Sequence, residues 1–108
     1  MIRWKRASAV FQGGTEQVLA LRGARVRTRA ALLGMPINVV EGTPPQATDV
    51  PAGSVGLVAN ARGADILIAL PKALGMPVTT LDAFMRSGAF TVVRINWPTF
   101  RAQFEVEA

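Results

Sequence analysis

A mainly β domain of about five to seven short strands and one short helix is the fold that the sequence predicts. Apolar and polar residues alternate in several short runs, which is the period of a strand with one buried face. Glycine and proline separate these runs, and the clearest helix-start and helix-end signals bracket residues 80–87. With 108 residues, the chain is expected to build a single small core.

The N-terminal part, residues 1–21, is predicted to form a hairpin extension. Two short extended runs flank Gly13 and Gly14. Paired glycines supply the positive φ angles that tight hairpin turns need, so the turn is placed there.

The following segment predicts the first strand of the main domain, residues 22–108. Val26 and Thr28 occupy alternate positions, and the positions around them are held by three arginines, Arg25, Arg27 and Arg29. Residues 33–50 then contain three prolines and two glycines. Because proline has no amide proton for a strand ladder and fixes φ, this stretch is predicted to be a long loop.

The middle of the chain predicts two more strands. A turn at Pro51 to Gly53 precedes a strand over residues 55–61, in which Gly56 indicates a bulge or a bend. A short apolar strand is expected over residues 65–70. Both runs are short, as strands in small β domains usually are.

An insertion over residues 62–88 contains the one predicted helix, at about 80–87. Thr79 or Thr80 is a suitable N-cap, because a threonine side chain can accept a hydrogen bond from a free backbone N–H of the first turn. Gly88 closes the far end, since glycine adopts the left-handed conformation that often ends a helix.

Two strands, over residues 90–97 and 102–108, are predicted to complete the domain. A turn at Pro98 and Thr99 separates them. The apolar alternation changes phase within the first of these strands, which predicts a bulge or a sharp twist near residues 92–93.

The order of these pieces resembles that of small SH3-like β-barrels. Such proteins tend to show a glycine before a G-x-x-V-R strand, a G-x-x-G-x-V turn and strand, an aromatic-led strand, and a last strand near the end. Those roles fall here on Gly23, Val26 and Arg27, on Gly53, Gly56 and Val58, on Phe90 and Trp97, and on Phe104 and Val106. The segment 62–88 is longer than the usual hairpin, and residues 1–21 have no counterpart.

This resemblance covers about residues 22–107 and extends to accessory proteins of the nitrogenase-maturation, nitrile-hydratase-β and photosynthetic electron-transfer types. It implies a non-catalytic SH3-like barrel that packs into a larger complex or a homo-oligomer. Residues 79–98 are also similar to the C-terminal region of lambdoid phage head-decoration proteins. That second resemblance implies an alternative function, a phage virion structural protein of the head-decoration or head-tail kind.

Catalysis is not expected of this chain. Histidine, cysteine and tyrosine are absent, so the usual general bases and the usual ligands of zinc and iron are missing. No serine lies in a motif that would activate it, and no phosphate-binding loop is present. We therefore expect no cofactor, no metal and no small-molecule substrate.

The sequence also predicts a location. It has no cysteine, no leading apolar run with a cleavage site and no stretch of about 20 apolar residues. A cytoplasmic protein, or one inside a macromolecular assembly such as a virion, with no membrane span, is the expectation.

Positive charge is concentrated at the N-terminal end. Residues 1–30 hold seven basic side chains and one acidic one, within a net charge of +5. If the first and last strands of the barrel pair, Arg25 and Arg27 face Glu105 and Glu107. The candidate contacts for nucleic acid or an acidic protein are then Arg3, Trp4, Lys5, Arg6 and Arg29.

Apolar side chains in the predicted loops and helix are more numerous than a barrel of this size readily buries. They predict an interface with a protein partner or a second copy of the chain, because flexible methionines favour adaptable contact surfaces. The candidate interface residues are Met35, Ile37, Leu74, Met76, Phe84 and Met85. A nucleic-acid-binding small barrel that uses the basic N-terminal face remains the other alternative.

Overall fold

The computed structural model describes residues 2–72 and 77–108. In this part of the chain, eight strands and four helices replace the predicted five to seven strands and one helix. In chain order they are β1 (Trp4–Arg6), α1 (Ala7–Val10), α2 (Thr15–Ala20), β2 (Arg25–Thr28), β3 (Leu32–Pro36), β4 (Ala47–Val50), β5 (Val55–Arg62), β6 (Asp65–Pro71), α3 (Leu81–Ser87), β7 (Phe90–Asn96), α4 (Trp97–Gln103) and β8 (Phe104–Glu107).

Six of the strands form one antiparallel sheet in the order β1-β8-β2-β5-β6-β7. Strands β3 and β4 form a separate two-stranded sheet. This hairpin meets β7 through a bridge between Ile37 and Val93, and through a 2.8 Å hydrogen bond from the Asn38 N–H to the Val92 carbonyl. The fold is therefore mainly β, as predicted, but the sheets are not closed into a barrel.

Buried side chains cover both faces of the centre of the large sheet. The main core contains Ala7, Phe11, Val18, Val26, Leu32, Val50, Val58, Ile66, Ile68, Leu70, Val93, Ile95, Phe100, Phe104 and Val106. A smaller second core contains Leu57, Ala59, Leu67, Ala69 and Phe84. Alternate residues of β6 enter the two cores, which explains why that strand is an unbroken apolar run.

The prediction of a hairpin over residues 1–21 is wrong. Short strand β1 is followed by helices α1 and α2, and Ala7, Phe11 and Val18 are fully buried in the main core. Ala7 begins α1, and Phe11 follows its last residue with an extended backbone, so the main core takes one buried side chain from each end of this short helix. Gly14, which has a φ of 101°, is the N-cap residue of α2 and not part of a hairpin turn.

The predicted long loop over residues 33–50 is instead a hairpin with a long connection. Met35 pairs with Thr48, and Pro36 pairs with Ala47 at the end of β3. A proline at the end of an edge strand removes no ladder bond that the sheet needs. The proline content therefore masked two strands that the structure contains.

Helix α4 replaces the turn predicted at Pro98 and Thr99. The Asn96 side chain caps it by accepting a 2.8 Å hydrogen bond from the Thr99 N–H. Pro98 lies in the first turn, where its missing N–H would have no helical partner in any case.

The bulge predicted near residues 92–93 is absent. Strands β6 and β7 pair without a register shift. The apolar pattern changes phase because Val92 packs against the second core and Val93 lies in the main core, so both faces of β7 are covered. A strand with two buried faces does not have to alternate apolar and polar residues. The register instead shifts within β5, between Val58 and Asn60.

Other elements are confirmed. Strands β5 and β6 match the strands predicted over residues 55–61 and 65–70. Helix α3 matches the helix predicted at 80–87, and its Thr80 side chain accepts a 3.3 Å hydrogen bond from the backbone three residues later. Gly88 ends that helix with a φ of 68°.

Candidate interaction surfaces

One face of the sheet, opposite the main core, carries charged side chains on strands β1, β8 and β2. The register aligns Arg6 of β1 with Glu105 of β8 and with Arg27 of β2. Trp4 aligns with Glu107 in the same way. An acidic strand thus lies between two basic ones.

The ion pairs predicted between the first and last barrel strands are confirmed. The Nε atom of Arg27 lies 2.9 Å from the Glu105 carboxylate, and that of Arg25 lies 3.3 Å from the Glu107 carboxylate. All four side chains are partly exposed, so each pair contributes at most roughly 0.2 to 1 kcal/mol. Two of the four arginines near the start of the domain are therefore neutralised within the fold.

A shallow groove opens on this charged face, at the end where Arg27 lies. The Arg27 guanidinium carbon is 4.5 Å from the centroid of the Trp4 ring, which is a cation–π contact. The groove has a volume of about 410 Å³. We name it the basic groove, and its lining residues are Trp4, Arg27, Thr28, Arg29, Gly53, Val55 and Glu105.

The structure brings together only part of the predicted polyanion site. Trp4 and Arg29 line the basic groove, and Arg6 lies beside it through its register with Glu105. Lys5 aligns with the core residue Val106, so its side chain projects from the opposite face. Arg3 precedes β1 and is exposed outside the groove.

Several of these cations lack a carboxylate partner. Within residues 2–72 and 77–108, no ion pair involves Arg3, Lys5, Arg6 or Arg29. The Arg29 side chain donates only a 3.3 Å hydrogen bond to the Ala102 carbonyl. Their charge is available to a partner molecule.

Some residues of the predicted apolar interface are buried in the structure and others are exposed. Phe84 is 2% exposed and belongs to the second core, so its assignment to an interface is wrong. Met85, the next residue of α3, is 41% exposed. The predictions for Leu74 and Met76 lie outside the described residues.

The β3–β4 hairpin carries the most exposed large apolar side chains of the described chain. Leu33 is 74% exposed and Val40 is 80% exposed. Met35 and Ile37, which were predicted as interface residues, are half-buried, and Met35 packs against the main core. Leu33 lies on β3 and Val40 in the connection between β3 and β4, and we name these two positions the hairpin surface.

Sequence reasoning missed some residues of both surfaces. Glu105 was assigned only to an ion pair, although the predicted pairing of the first and last strands also brings it to the groove. Leu33 was missed because the segment was predicted to be a loop. In a strand, Leu32 and Leu33 point to opposite faces, so one of two adjacent leucines is exposed.

The described part of the chain contains no cluster of three or more carboxylate, histidine or cysteine side chains that could hold a metal ion. None of its helices is long and apolar enough to span a membrane. No protein-family model, curated protein or solved structure matches the chain.

Proposed function

We propose that the chain is a non-catalytic interaction or structural subunit that binds a protein partner, or a second copy of itself, through the hairpin surface. The observation that carries the proposal is the exposure of Leu33 and Val40, at 74% and 80%. Full burial of such a side chain is favourable by roughly 1.5 to 3 kcal/mol, so a partner that covers both gains appreciable free energy.

The position of the hairpin supports this proposal. Strands β3 and β4 form a two-stranded sheet that joins β7 through one bridge, between Ile37 and Val93. Leu32 and Val50 of the hairpin lie in the main core, so its inner face is already covered. Leu33, on the opposite face of β3, is left for a partner to bury.

The strand order supports an SH3-like topology within this function. Strand β8 pairs with β2, β5 to β7 follow one another as a meander, and the β3–β4 hairpin lies between β2 and β5 in the chain. The short helix α4 directly precedes β8. We propose that the domain is an opened SH3-like barrel extended by β1, α1 and α2.

Site-specific photo-crosslinking tests the proposal directly. A photo-reactive amino acid is placed at Leu33, and in a matched control at Leu19, which is 49% exposed on α2. In cells that express the chain from its own gene, we expect a discrete covalent adduct at position 33 and none at position 19. The adduct should disappear when Val40→Ser is added.

Light scattering on the purified chain then separates the two kinds of partner. A second copy as the partner predicts a dimer or larger oligomer that Leu33→Ser with Val40→Ser converts to a monomer. A different protein as the partner predicts a monomer together with a heterologous adduct. Absence of any adduct at position 33 would overturn the proposal.

A further inference from the structure

We propose that the basic groove, together with Arg6 of the adjoining strand β1, binds the backbone of a single-stranded nucleic acid. This function is separate from that of the hairpin surface and uses other side chains. The structure supports it through the charge, the spacing and the aromatic side chain of the charged face.

The charge around the groove is positive after internal pairing. Arg6, Arg27 and Arg29 surround a single carboxylate in the groove, that of Glu105. Because Glu105 is paired with Arg27 at 2.9 Å, the positive charges of Arg6 and Arg29 remain for a ligand. Both of these side chains are exposed.

The spacing of the cations suits an extended anionic chain. Arg27 lies in β2 and Arg29 in the bend that follows it, so their Cα atoms are at most roughly 7 Å apart. Arg6 lies across β8, at about two strand spacings or roughly 10 Å. The cations therefore border an open strip, which favours a polymer over a small enclosed ligand.

Trp4 supplies an aromatic surface inside the same strip. Its half-buried ring lines the groove, and the Arg27 guanidinium packs on it at 4.5 Å from the ring centroid. Proteins that bind single strands combine a cationic groove with aromatic side chains on which bases stack. Stacking requires an unpaired base, so the aromatic group favours a single strand over a duplex.

An acidic peptide fits this surface less well. Glu105 and Glu107 lie between the two basic strands and repel carboxylates and phosphates alike, but a nucleic acid also offers base N–H groups from which these carboxylates can accept hydrogen bonds. Strand β1 has only three residues before α1 begins, so a peptide that added a strand there would gain few backbone hydrogen bonds.

Fluorescence anisotropy with a labelled oligothymidylate of about 20 nucleotides tests the proposal, because single-strand sites commonly span fewer nucleotides than this. At about 50 mM salt we expect binding that weakens as salt is raised. The double variant Arg6→Ala with Arg29→Ala should bind roughly tenfold more weakly, and its slope of log affinity against log salt should fall by about 1.4. Trp4→Leu should also weaken binding, by roughly fivefold or more.

The matched control removes two exposed cations far from the groove in sequence, through Lys72→Ala with Arg86→Ala. It has the same net charge as the double variant and should bind within about twofold of the original chain. Thermal unfolding of both double variants checks that the fold is kept. Crosslinking at Leu33 should be unchanged in the groove variant, so failure of this proposal is distinguishable from failure of the hairpin proposal.

Three results would overturn the inference. The first is no salt-dependent binding of the oligonucleotide at about 50 mM salt. The second is an equal loss of affinity in the control variant, which would mean that only overall charge matters. The third is tighter binding of a polyglutamate peptide than of the oligonucleotide, which would assign the groove to an acidic protein.

Discussion

At the residue scale, Gly56 of β5 lies so close to β6 that an added Cβ atom has no room. A Cβ atom at this position would lie 2.5 Å from the Ala69 carbonyl oxygen and 2.8 Å from a methyl carbon of Leu70. Both atoms belong to β6, which pairs with β5 along its length. The glycine is needed here because no side chain fits between the strands.

We therefore expect Gly56→Ala to reduce the free energy of unfolding by about 3 kcal/mol, the upper end of the usual range for overpacking. The carbonyl oxygen of Ala69 is part of the backbone and cannot move aside without disturbing the sheet. Urea denaturation of the variant and the original chain measures the difference.

Gly34→Ala is the control for this substitution. Gly34 has a φ of 65° and no neighbour within 4 Å of the added methyl group, so only backbone strain of roughly 1 to 2 kcal/mol applies. Gly56 has no positive φ, so strain of this kind does not apply to it. A loss for Gly56→Ala no larger than that for Gly34→Ala would contradict the predicted clash with β6.

Sequence reasoning at this scale succeeded where a residue's partner follows from strand alternation. The prediction that Arg25 and Arg27 face Glu105 and Glu107 follows once the first and last strands are assumed to pair. The register then pairs Arg25 with Glu107 and Arg27 with Glu105. The role of Gly56 was only partly predicted, because a bulge or bend was expected at the glycine itself. Glycine is required at this position because of the contact with β6, and no local pattern of residues reveals that contact.

At the element scale, helix α3 packs on the sheet mainly through Phe84, with the half-buried Leu81 beside it. Phe84 packs with the apolar side chains of β5 and β6, and its ring centroid lies 5.8 Å from that of Phe90 on β7. The next residue, Met85, points outward. The helix thus covers the second core, and removal of the Phe84 ring would expose part of that core to solvent.

Phe84→Ala is accordingly expected to lower the free energy of unfolding by about 3 to 5 kcal/mol, as is usual for a buried aromatic side chain. Met85→Ala, on the exposed side of the same helix, should change it by no more than about 0.5 kcal/mol. Chemical denaturation of the two variants measures both values. A small effect of Phe84→Ala, comparable to that of Met85→Ala, would contradict the assignment of Phe84 to the core.

Elements with local signals were predicted, and elements that depend on tertiary contacts were not. Helix α3 has a capping threonine and a closing glycine within its own sequence. Helices α1 and α2 have four and six residues and no side-chain cap, so they depend on packing against the sheet. Strands β3 and β4 were hidden by prolines, although one of these prolines lies harmlessly at the end of β3.

At the scale of the whole molecule, the N-terminal segment is part of the main core and not an appendage. The Phe11 ring packs edge-on against Phe100 of α4, with centroids 5.5 Å apart, and against Trp97 at 6.2 Å. The Arg101 side chain also donates a 3.0 Å hydrogen bond to the Phe11 carbonyl. These contacts join the first and last parts of the chain.

Deletion of residues 1–21 should therefore abolish cooperative folding. The truncated chain loses the buried side chains of Ala7, Phe11 and Val18, and it leaves one side of Phe100 exposed to solvent. Each large apolar side chain that is no longer buried lowers the free energy of unfolding by roughly 1.5 to 3 kcal/mol. This is a substantial part of the stability of a small domain. Circular dichroism during heating provides the measurement, and a sharp transition for residues 22–108 alone would contradict it.

The general class of the molecule was predictable, and its candidate sites were predictable only in part. Period-two alternation indicated a mainly β fold, but it could not show that the large sheet remains open or that both of its faces are covered. For the basic groove, the sequence identified Trp4, Arg6 and Arg29 but not their positions relative to Lys5. Which face a side chain occupies depends on register, and register is set by contacts between distant strands.

The pairing of β1 with β8 also has a consequence for synthesis of the chain. Trp4 is aligned with Glu107, about a hundred residues later, so β1 gains this partner strand only after the residues of β8 have been synthesised. An unpaired strand edge can join another chain, and positively charged side chains discourage this. Lys5 and Arg6 of β1 are exposed side chains of the kind that discourages such pairing.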